Sequence, residues 1–95
     1  MPNYYDRQGN PIRMDSWVLK FGDTDYKTVA KDTVGSYTVS TVWLGLDHNF
    51  VSNDDPIIFE TMVFNAKGED VYQKRYSTEQ DARNGHAKIV GKYEV

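Results

Sequence analysis

The chain has 95 residues and a formal net charge of −3, and both values limit the classes of protein to which it belongs. A chain of this length predicts a single domain over residues 1–95, because two separate hydrophobic cores need more residues. The absence of cysteine excludes disulfides and favours a cytoplasmic location. The acidic balance argues against nucleic acid as a partner. No apolar run reaches the length of about 18 residues that a membrane-spanning helix needs.

The N-terminal part of the chain predicts a turn followed by a short helix. Residues 9–11 read Gly-Asn-Pro, which is typical of a turn because glycine permits positive φ and proline cannot continue a ladder. Asp15 or Ser16 is a candidate N-cap, and apolar residues follow at helical spacing from Trp17 to Phe21. We therefore expect a short hairpin or arm and then one or two helical turns.

Four segments then predict the strands of one antiparallel sheet, because they are rich in β-branched and aromatic residues and are separated by turn residues. Short connections make consecutive strands antiparallel neighbours. The second and third segments carry most of the hydrophobic mass, so we expect them to be central. The predicted strands lie near residues 26–34, 37–46, 57–64 and 71–76.

A second helix is predicted over residues 78–90. The sequence Ser77-Thr78-Glu79-Gln80 matches a capping box, in which the Ser77 hydroxyl caps the helix and the Gln80 side chain reaches back. An apolar stripe that includes His86 follows, and it should pack on the sheet. The predicted fold class is α+β, with an antiparallel sheet of about four strands, a C-terminal helix packed on one face and a short N-terminal helix. The predicted core consists of Trp43, Leu44, Phe59, Val63, Ile89 and Val90.

Three strings in this order resemble a group of small proteins encoded in bacteriophage and prophage genomes. They are residues 40–49 (STVWLGLDHN), residues 58–64 (IFETMVF) and residues 75–78 (RYST) followed by Gly85-His86. No activity is established for that group, so the resemblance implies a phage context and carries over no catalytic residue. It implies an accessory protein or an inhibitor of host defence.

The segment Asp47-His48-Asn49 follows the strongest predicted strand, so its side chains should project from a strand end close to Trp43. Strand ends and loops often hold binding sites. The alternative is that Asp47 and Asn49 bond their own backbone in a turn, as such residues usually do.

Glu60 and His86 are further candidates, and each has two interpretations. Glu60 stands among large apolar residues, either as an outward-facing carboxylate or as a general base with a raised pKa. His86 is either a half-buried histidine with one satisfied nitrogen or a ligand. Gly85 beside it costs helix stability, for which close packing against the sheet over Trp43 is a sufficient reason.

Two functions from different classes remain open. No Walker loop, Rossmann glycine pattern, His-Glu-x-x-His string or nucleophile elbow is present, so we predict no cofactor and favour a non-catalytic protein that binds a host protein or a small ligand. An exposed aromatic patch would support that function. The alternative is a metal-dependent hydrolase using Asp47, His48, Glu60 and His86, which requires these groups to converge. The candidate binding residues are Trp43, Asp47, His48, Asn49, Glu60 and His86.

Overall fold

A computed structural model describes residues 3–48 and 55–94 and shows one antiparallel sheet with a long helix on one face. The strands lie in the order β1-β2-β3-β4, and each pairs with its neighbour in the chain. The predicted α+β class is confirmed. The elements in chain order are α1 (Met14–Phe21), α2 (Thr24–Lys27), β1 (Thr28–Val34), β2 (Tyr37–Trp43), β3 (Phe59–Phe64), β4 (Asp70–Tyr76) and α3 (Glu79–Tyr93).

The first two strands are shorter than the sequence predicts. Tyr26 belongs to α2, because the Asp23 carboxylate caps that helix by accepting hydrogen bonds from the N–H groups of Asp25 and Tyr26. β2 ends at Trp43, because Gly45 adopts a φ of +71° that a continuing strand does not allow. The predicted strand boundaries at Tyr26 and at residue 46 are therefore wrong.

The helix caps also differ from the predicted ones. α1 begins after Arg13, whose side chain makes no capping bond. At α3 the cap is Thr78, whose hydroxyl accepts a hydrogen bond of 3.1 Å from the Asp81 N–H group. The Gln80 side chain donates to Asn84, one turn later. The predicted capping box from Ser77 to Gln80 is therefore wrong, since the cap lies one residue further along.

The alternation along β2 and β3 gives the sheet two different faces. Thr41 pairs with Thr61 on the face that α3 covers. The next pair, Val42 with Glu60, points to the opposite face, because successive side chains alternate along a strand. No helix of the described residues covers that second face.

The core between the sheet and α3 forms two apolar clusters. One contains Val29, Trp43, Ile58, Phe59, Tyr76 and Ala82. The other contains Val34, Val39, Val63 and Ile89. Threonine separates the two clusters along both central strands, and His86 separates them along α3. Leu44 and Val90, which the sequence places in the core, are half-buried because they lie at its edge.

The N-terminal segment forms an arm that runs beside the end of β2. Tyr4 makes an isolated antiparallel bridge with Leu46, and the Tyr5 N–H group donates to the Gly45 carbonyl. A turn at Gly9 follows and sends the chain toward α1. The Arg7 side chain within this turn reaches α3 through a two-bond ion pair with Glu79, at 2.9 and 2.7 Å.

Candidate functional site

The side chains of the predicted loop residues Asp47 and His48 both make hydrogen bonds to backbone groups near the ends of the loop. The Asp47 carboxylate accepts a hydrogen bond of 2.9 Å from the Ile57 N–H group. The His48 Nδ1 atom lies 2.7 Å from the Leu46 carbonyl, which only accepts, so this nitrogen is the donor. These bonds have a structural role: the Asp47 bond crosses the loop to Ile57, and the His48 bond is local. Asn49 lies outside the described residues.

Trp43 lies in the middle of the first core cluster. Its side chain is fully buried, and its indole N–H group donates to the Tyr5 carbonyl at 3.0 Å. The Tyr26 ring covers another side of the indole through an edge-to-face contact, at 5.0 Å between ring centroids. This placement leaves no surface of Trp43 for a partner, so its role is to hold the arm and α2 on the sheet.

Glu60 faces away from α3 and is paired with side chains of β4. It lies on the helix-free face of the sheet, yet it is buried there beneath two side chains of β4. Gln73 donates to its carboxylate, and Arg75 does so at 3.0 Å. Buried carboxylates need such partners, because an unpaired charge is costly to remove from water. Glu60 therefore ties β3 to β4.

His86 is buried, and both of its ring nitrogens have partners. The Nε2 atom lies 2.7 Å from an Asp32 carboxylate oxygen, and the Nδ1 atom lies 2.7 Å from the Thr41 hydroxyl. The Thr41 and Thr61 hydroxyls in turn share a hydrogen bond of 2.5 Å. We call these four residues the polar layer, because they cross the core between its two apolar clusters.

Sequence reasoning missed three members of the polar layer. Thr41 and Thr61 alternate in phase with buried apolar residues on their strands, and this alternation was the available signal for them. Asp32 gave no signal, because its contact with His86 spans 54 residues of chain.

The hydrogen bonds of the polar layer have a defined direction. A carboxylate only accepts, so the His86 Nε2 atom carries a proton and donates to Asp32. In a neutral ring the Nδ1 atom then accepts from Thr41, and Thr41 accepts from Thr61. The hydrogen bonds of the layer then run in one direction, from Thr61 through Thr41 and His86 to Asp32.

The order Asp32, His86 and Thr41 has the composition of a nucleophile triad, but its burial is the reverse of what catalysis needs. Thr41 and Thr61 are 0% exposed, whereas the Asp32 side chain is 55% exposed. A nucleophile must reach its substrate, and here only the carboxylate end reaches the solvent. The polar layer is therefore a structural feature of the core.

Tyr76 lies beside the layer with an unsatisfied group. Its hydroxyl is buried and has no hydrogen-bond partner among residues 3–48 and 55–94. Burial raises the pKa of this hydroxyl above its usual value, and a contact with Thr61 that falls short of hydrogen-bond geometry opposes the rise. Gly85 explains the close packing, because a Cβ atom there would approach the Tyr76 ring to 2.4 Å. The predicted partner of Gly85, Trp43, is therefore wrong.

The residues of the hydrolase hypothesis are not assembled into one site. Glu60 and His86 lie on opposite faces of the sheet, so their side chains cannot reach the same ion. Within residues 3–48 and 55–94, no group of three histidine, aspartate or glutamate side chains is arranged to hold a metal.

Among the described residues, the large apolar side chains with the highest exposure belong to α1. Met14, Val18 and Leu19 are 60%, 54% and 78% exposed, and none of the residues of α1 is buried. We call these three residues the α1 surface. Every aromatic residue that the structure describes is at least half-buried, so the apolar surface is aliphatic and is not the exposed aromatic patch that would support a binding function.

Trp17 anchors α1 to the rest of the protein. Its indole N–H group donates to the Leu44 carbonyl at 3.0 Å, and its ring packs against Tyr4 of the arm at a centroid distance of 4.9 Å. Gly45 makes room for this ring, because a Cβ atom there would lie 2.7 Å from it. α1 therefore presents its exposed side chains from a fixed position.

Comparisons of the chain with protein families, curated proteins and solved structures gave no match. The phage relationship therefore stays a prediction from the three strings. In the part of the chain that the structure describes, no helix has the length and hydrophobicity to cross a membrane.

Proposed function

We propose that the protein is a non-catalytic binding protein and that it recognises a partner protein through the α1 surface. The observation that carries this proposal is the exposure of Met14, Val18 and Leu19 on one short helix. Exposed groups of large aliphatic side chains are uncommon on small proteins and often mark interaction sites. Burying the three side chains under a partner would contribute several kcal/mol, at about 25 cal/mol per Å² of apolar surface.

The anchoring of α1 supports the same proposal. Trp17 fixes the helix through one hydrogen bond to Leu44 and one ring contact with Tyr4, so the exposed side chains lose little backbone freedom when a partner covers them. Association is favoured when the bound conformation already exists in the free protein. A protruding helix also suits a groove on a protein, whereas small ligands bind in concave pockets.

The environments of two candidate catalytic groups, Glu60 and His86, support a non-catalytic role. Glu60 is covered by Gln73 and Arg75, and the His86 ring is bonded at both nitrogens. A general base needs access to the proton that it abstracts. The hydrolase alternative has no observation in its favour.

The resemblance to phage proteins supports a protein of the bacterial host cell as the partner. Inhibition of a host defence protein is a narrower form of this proposal, and it rests on that resemblance alone.

The test is capture of a partner by the wild-type chain and by surface variants. A double variant, Val18→Asp with Leu19→Asp, places charge on the α1 surface without touching Trp17. Val71→Asp is the matched control, because Val71 is also an exposed aliphatic residue but lies on β4. Each protein is cross-linked in bacterial lysate, and a stoichiometric partner is identified and then repurified for binding measurements.

We expect one partner that binds the wild type and Val71→Asp alike and binds the double variant at least about tenfold more weakly, a loss of about 1.4 kcal/mol or more. Circular dichroism controls for folding of all three proteins. Equal binding by the double variant, or no stoichiometric partner in any lysate, would remove α1 as a docking surface.

A further inference from the structure

A second surface lies between β4 and α3, and the proposed function does not use it. β4 is an edge strand, with β3 on one side and no strand of the described residues on the other. The outer edge of such a strand carries backbone N–H and C=O groups that can pair with an added strand. A groove of about 480 Å³ runs beside it and is lined by Lys74, Asn84 and Lys88 among others.

Two lysines, Lys74 and Lys88, line this groove, and Lys92 continues the row beyond Lys88 on α3. Lys88 and Lys92 lie one turn apart on α3, and Lys74 lies on β4. The Lys92 ammonium is 5.9 Å from the centre of the Tyr72 ring on β4, so α3 and β4 are close at this end as well. We call Lys74, Lys88 and Lys92 the lysine row.

The lysine row has no acidic partner of its own. None of its members forms an ion pair with another described residue, although the whole chain carries a net charge of −3. Arg75 also lines the groove, but its charge is matched by Glu60 on the other face. Asp81 lines the groove nearer the start of α3. The groove is therefore a basic strip on an acidic protein.

The geometry of the strip matches an extended chain. α3 runs antiparallel to β4, because Gly85 packs on Tyr76 while Lys92 approaches Tyr72. Four residues of helix advance about 6 Å, which separates Lys88 from Lys92. Alternate side chains of a strand repeat about every 6.7 Å on the same side. Carboxylates at every second position of an added strand therefore have nearly the spacing of the two helix lysines.

We propose that β4 and the lysine row bind an extended acidic peptide segment, which joins the sheet beside β4 and directs alternating carboxylates toward Lys88 and Lys92. The backbone of the segment pairs with the free edge of β4, as in other cases of strand addition. Lys74 lies on the strand side of the groove and contacts the same carboxylates.

Two other occupants fit the surface less well. A second copy of this chain paired through β4 would bring a second lysine row toward the first, which adds like charges. The phosphates of single-stranded nucleic acid could contact the lysines. However, nucleic acid has no amide backbone to pair with β4, and the protein's net charge of −3 repels it. Both remain as outcomes of the test.

The experiment measures fluorescence anisotropy of labelled eight-residue peptides with the full chain. The probe alternates glutamate with threonine, and the reference peptide has glutamine in place of glutamate. Two further peptides have the probe sequence with N-methyl groups on alternate backbone amides, one peptide for each of the two phases. Only one of these phases removes the N–H groups that pair with β4. A single-stranded oligonucleotide of equal charge is measured in parallel.

The protein variants are Lys88→Glu with Lys92→Glu, and the milder pair Lys88→Gln with Lys92→Gln. The matched control reverses the charge of two lysines outside the strip, through Lys31→Glu with Lys67→Glu. All four positions are exposed, so the fold should be kept, and circular dichroism checks this.

We expect the glutamate peptide to bind at least about tenfold more tightly than the glutamine peptide at low salt, and less so as salt rises. Reversal of Lys88 and Lys92 should weaken binding about tenfold or more, and the control reversal less than about threefold. One phase of backbone methylation should abolish binding.

Three results would overturn the proposal. They are equal binding of the glutamate and glutamine peptides, equal losses in the strip and control variants, and tighter binding of the oligonucleotide than of the peptide. If sedimentation shows a dimer that neither the glutamate nor the glutamine peptide dissociates, the edge of β4 is occupied by a second copy of this chain. None of these results bears on the α1 surface, which lies on a different element.

Discussion

At the scale of single residues, the two glycines of α3 occupy opposite environments on one helix. Gly85 lies against the Tyr76 ring, and a Cβ atom there would come within 2.3 to 2.5 Å of its atoms. Nothing lies within 4 Å of the corresponding position at Gly91. Close packing on the sheet was predictable as the reason for glycine at position 85, but the packing partner was not, because it depends on the position of α3 along the strands.

This contrast gives a matched pair of substitutions. Gly85→Ala should lower the free energy of unfolding, because the buried ring must move and this cost exceeds the gain of up to about 1 kcal/mol in helix propensity. Gly91→Ala should keep that gain and raise stability by up to about 1 kcal/mol. Urea titrations of both variants measure the difference. If Gly85→Ala proves as stable as Gly91→Ala, the Tyr76 contact is looser than described.

The predicted loop site shows what residue patterns can and cannot establish. Asp47 and His48 follow β2, as predicted, because the apolar run before them is recognisable from sequence, but residues 44–46 separate them from the end of the strand. The bond of Asp47 to Ile57 could not be predicted, since it depends on where the chain returns toward β3. The same holds for Glu60, whose partners are supplied by a strand that comes ten or more residues later.

At the scale of elements, α3 is joined to the N-terminal turn by the ion pair of Arg7 with Glu79. The Arg7 guanidinium donates two hydrogen bonds to the carboxylate and a third to the Tyr26 carbonyl at 2.9 Å. Arg83, one turn along α3, contacts the same carboxylate at 2.9 Å. The hydrogen bond from Arg7 is the main reason that the pKa of Glu79 is held below its ordinary value of 4.5, and burial opposes it.

The lowered pKa gives a prediction for the pH dependence of stability. A carboxyl with a lower pKa in the folded state stabilises the fold above its unfolded pKa and loses that contribution as pH falls through the folded value. Wild type should therefore exceed Glu79→Gln in unfolding free energy at pH 7, and the gap should narrow below about pH 4.5. Urea titrations between pH 7 and pH 3 measure both proteins. A gap that stays constant over this range would show that Glu79 acts through packing and not through its charge.

Element boundaries depart from the sequence prediction where a capping group or a positive φ intervenes. Asp23 starts α2 and shortens β1, and Gly45 ends β2 three residues before the predicted end. The existence and order of the four strands were nevertheless predictable, because short turn segments separate long β-type runs. α2 was not predictable, because a helix of four residues is too short to show a helical period in the sequence.

At the scale of the whole molecule, the polar layer divides the core into an aromatic part and an aliphatic part. β2, β3 and α3 each contribute one polar residue at the same level, with apolar neighbours on both sides along the chain. A shift of α3 by one turn would move His86 away from Thr41 and leave buried polar groups unpaired. The layer therefore favours a single alignment of the helix on the sheet.

Thr41→Val tests the energetic weight of this layer. The substitution keeps the shape of the side chain but leaves the His86 Nδ1 atom and the Thr61 hydroxyl without their partner, at a cost of about 1 to 3 kcal/mol. Asp32→Asn is the control, because an amide oxygen still accepts the His86 proton at a half-exposed position; its cost should be below about 1 kcal/mol. Denaturant unfolding that ranks Asp32→Asn as the more damaging change would contradict the layer as described.

The ion pair of Arg7 with Glu79 also bears on the order in which the protein folds. It joins residues that are 72 positions apart, whereas each pair of neighbouring strands is joined by a much shorter stretch of chain. Closing a long loop costs more entropy and is repaid only after both ends are structured. The arm and α1 should therefore dock after the sheet and α3 have formed. In stopped-flow experiments, Arg7→Met should speed unfolding and leave the folding rate nearly unchanged, and a slower folding rate would place this contact in the folding nucleus.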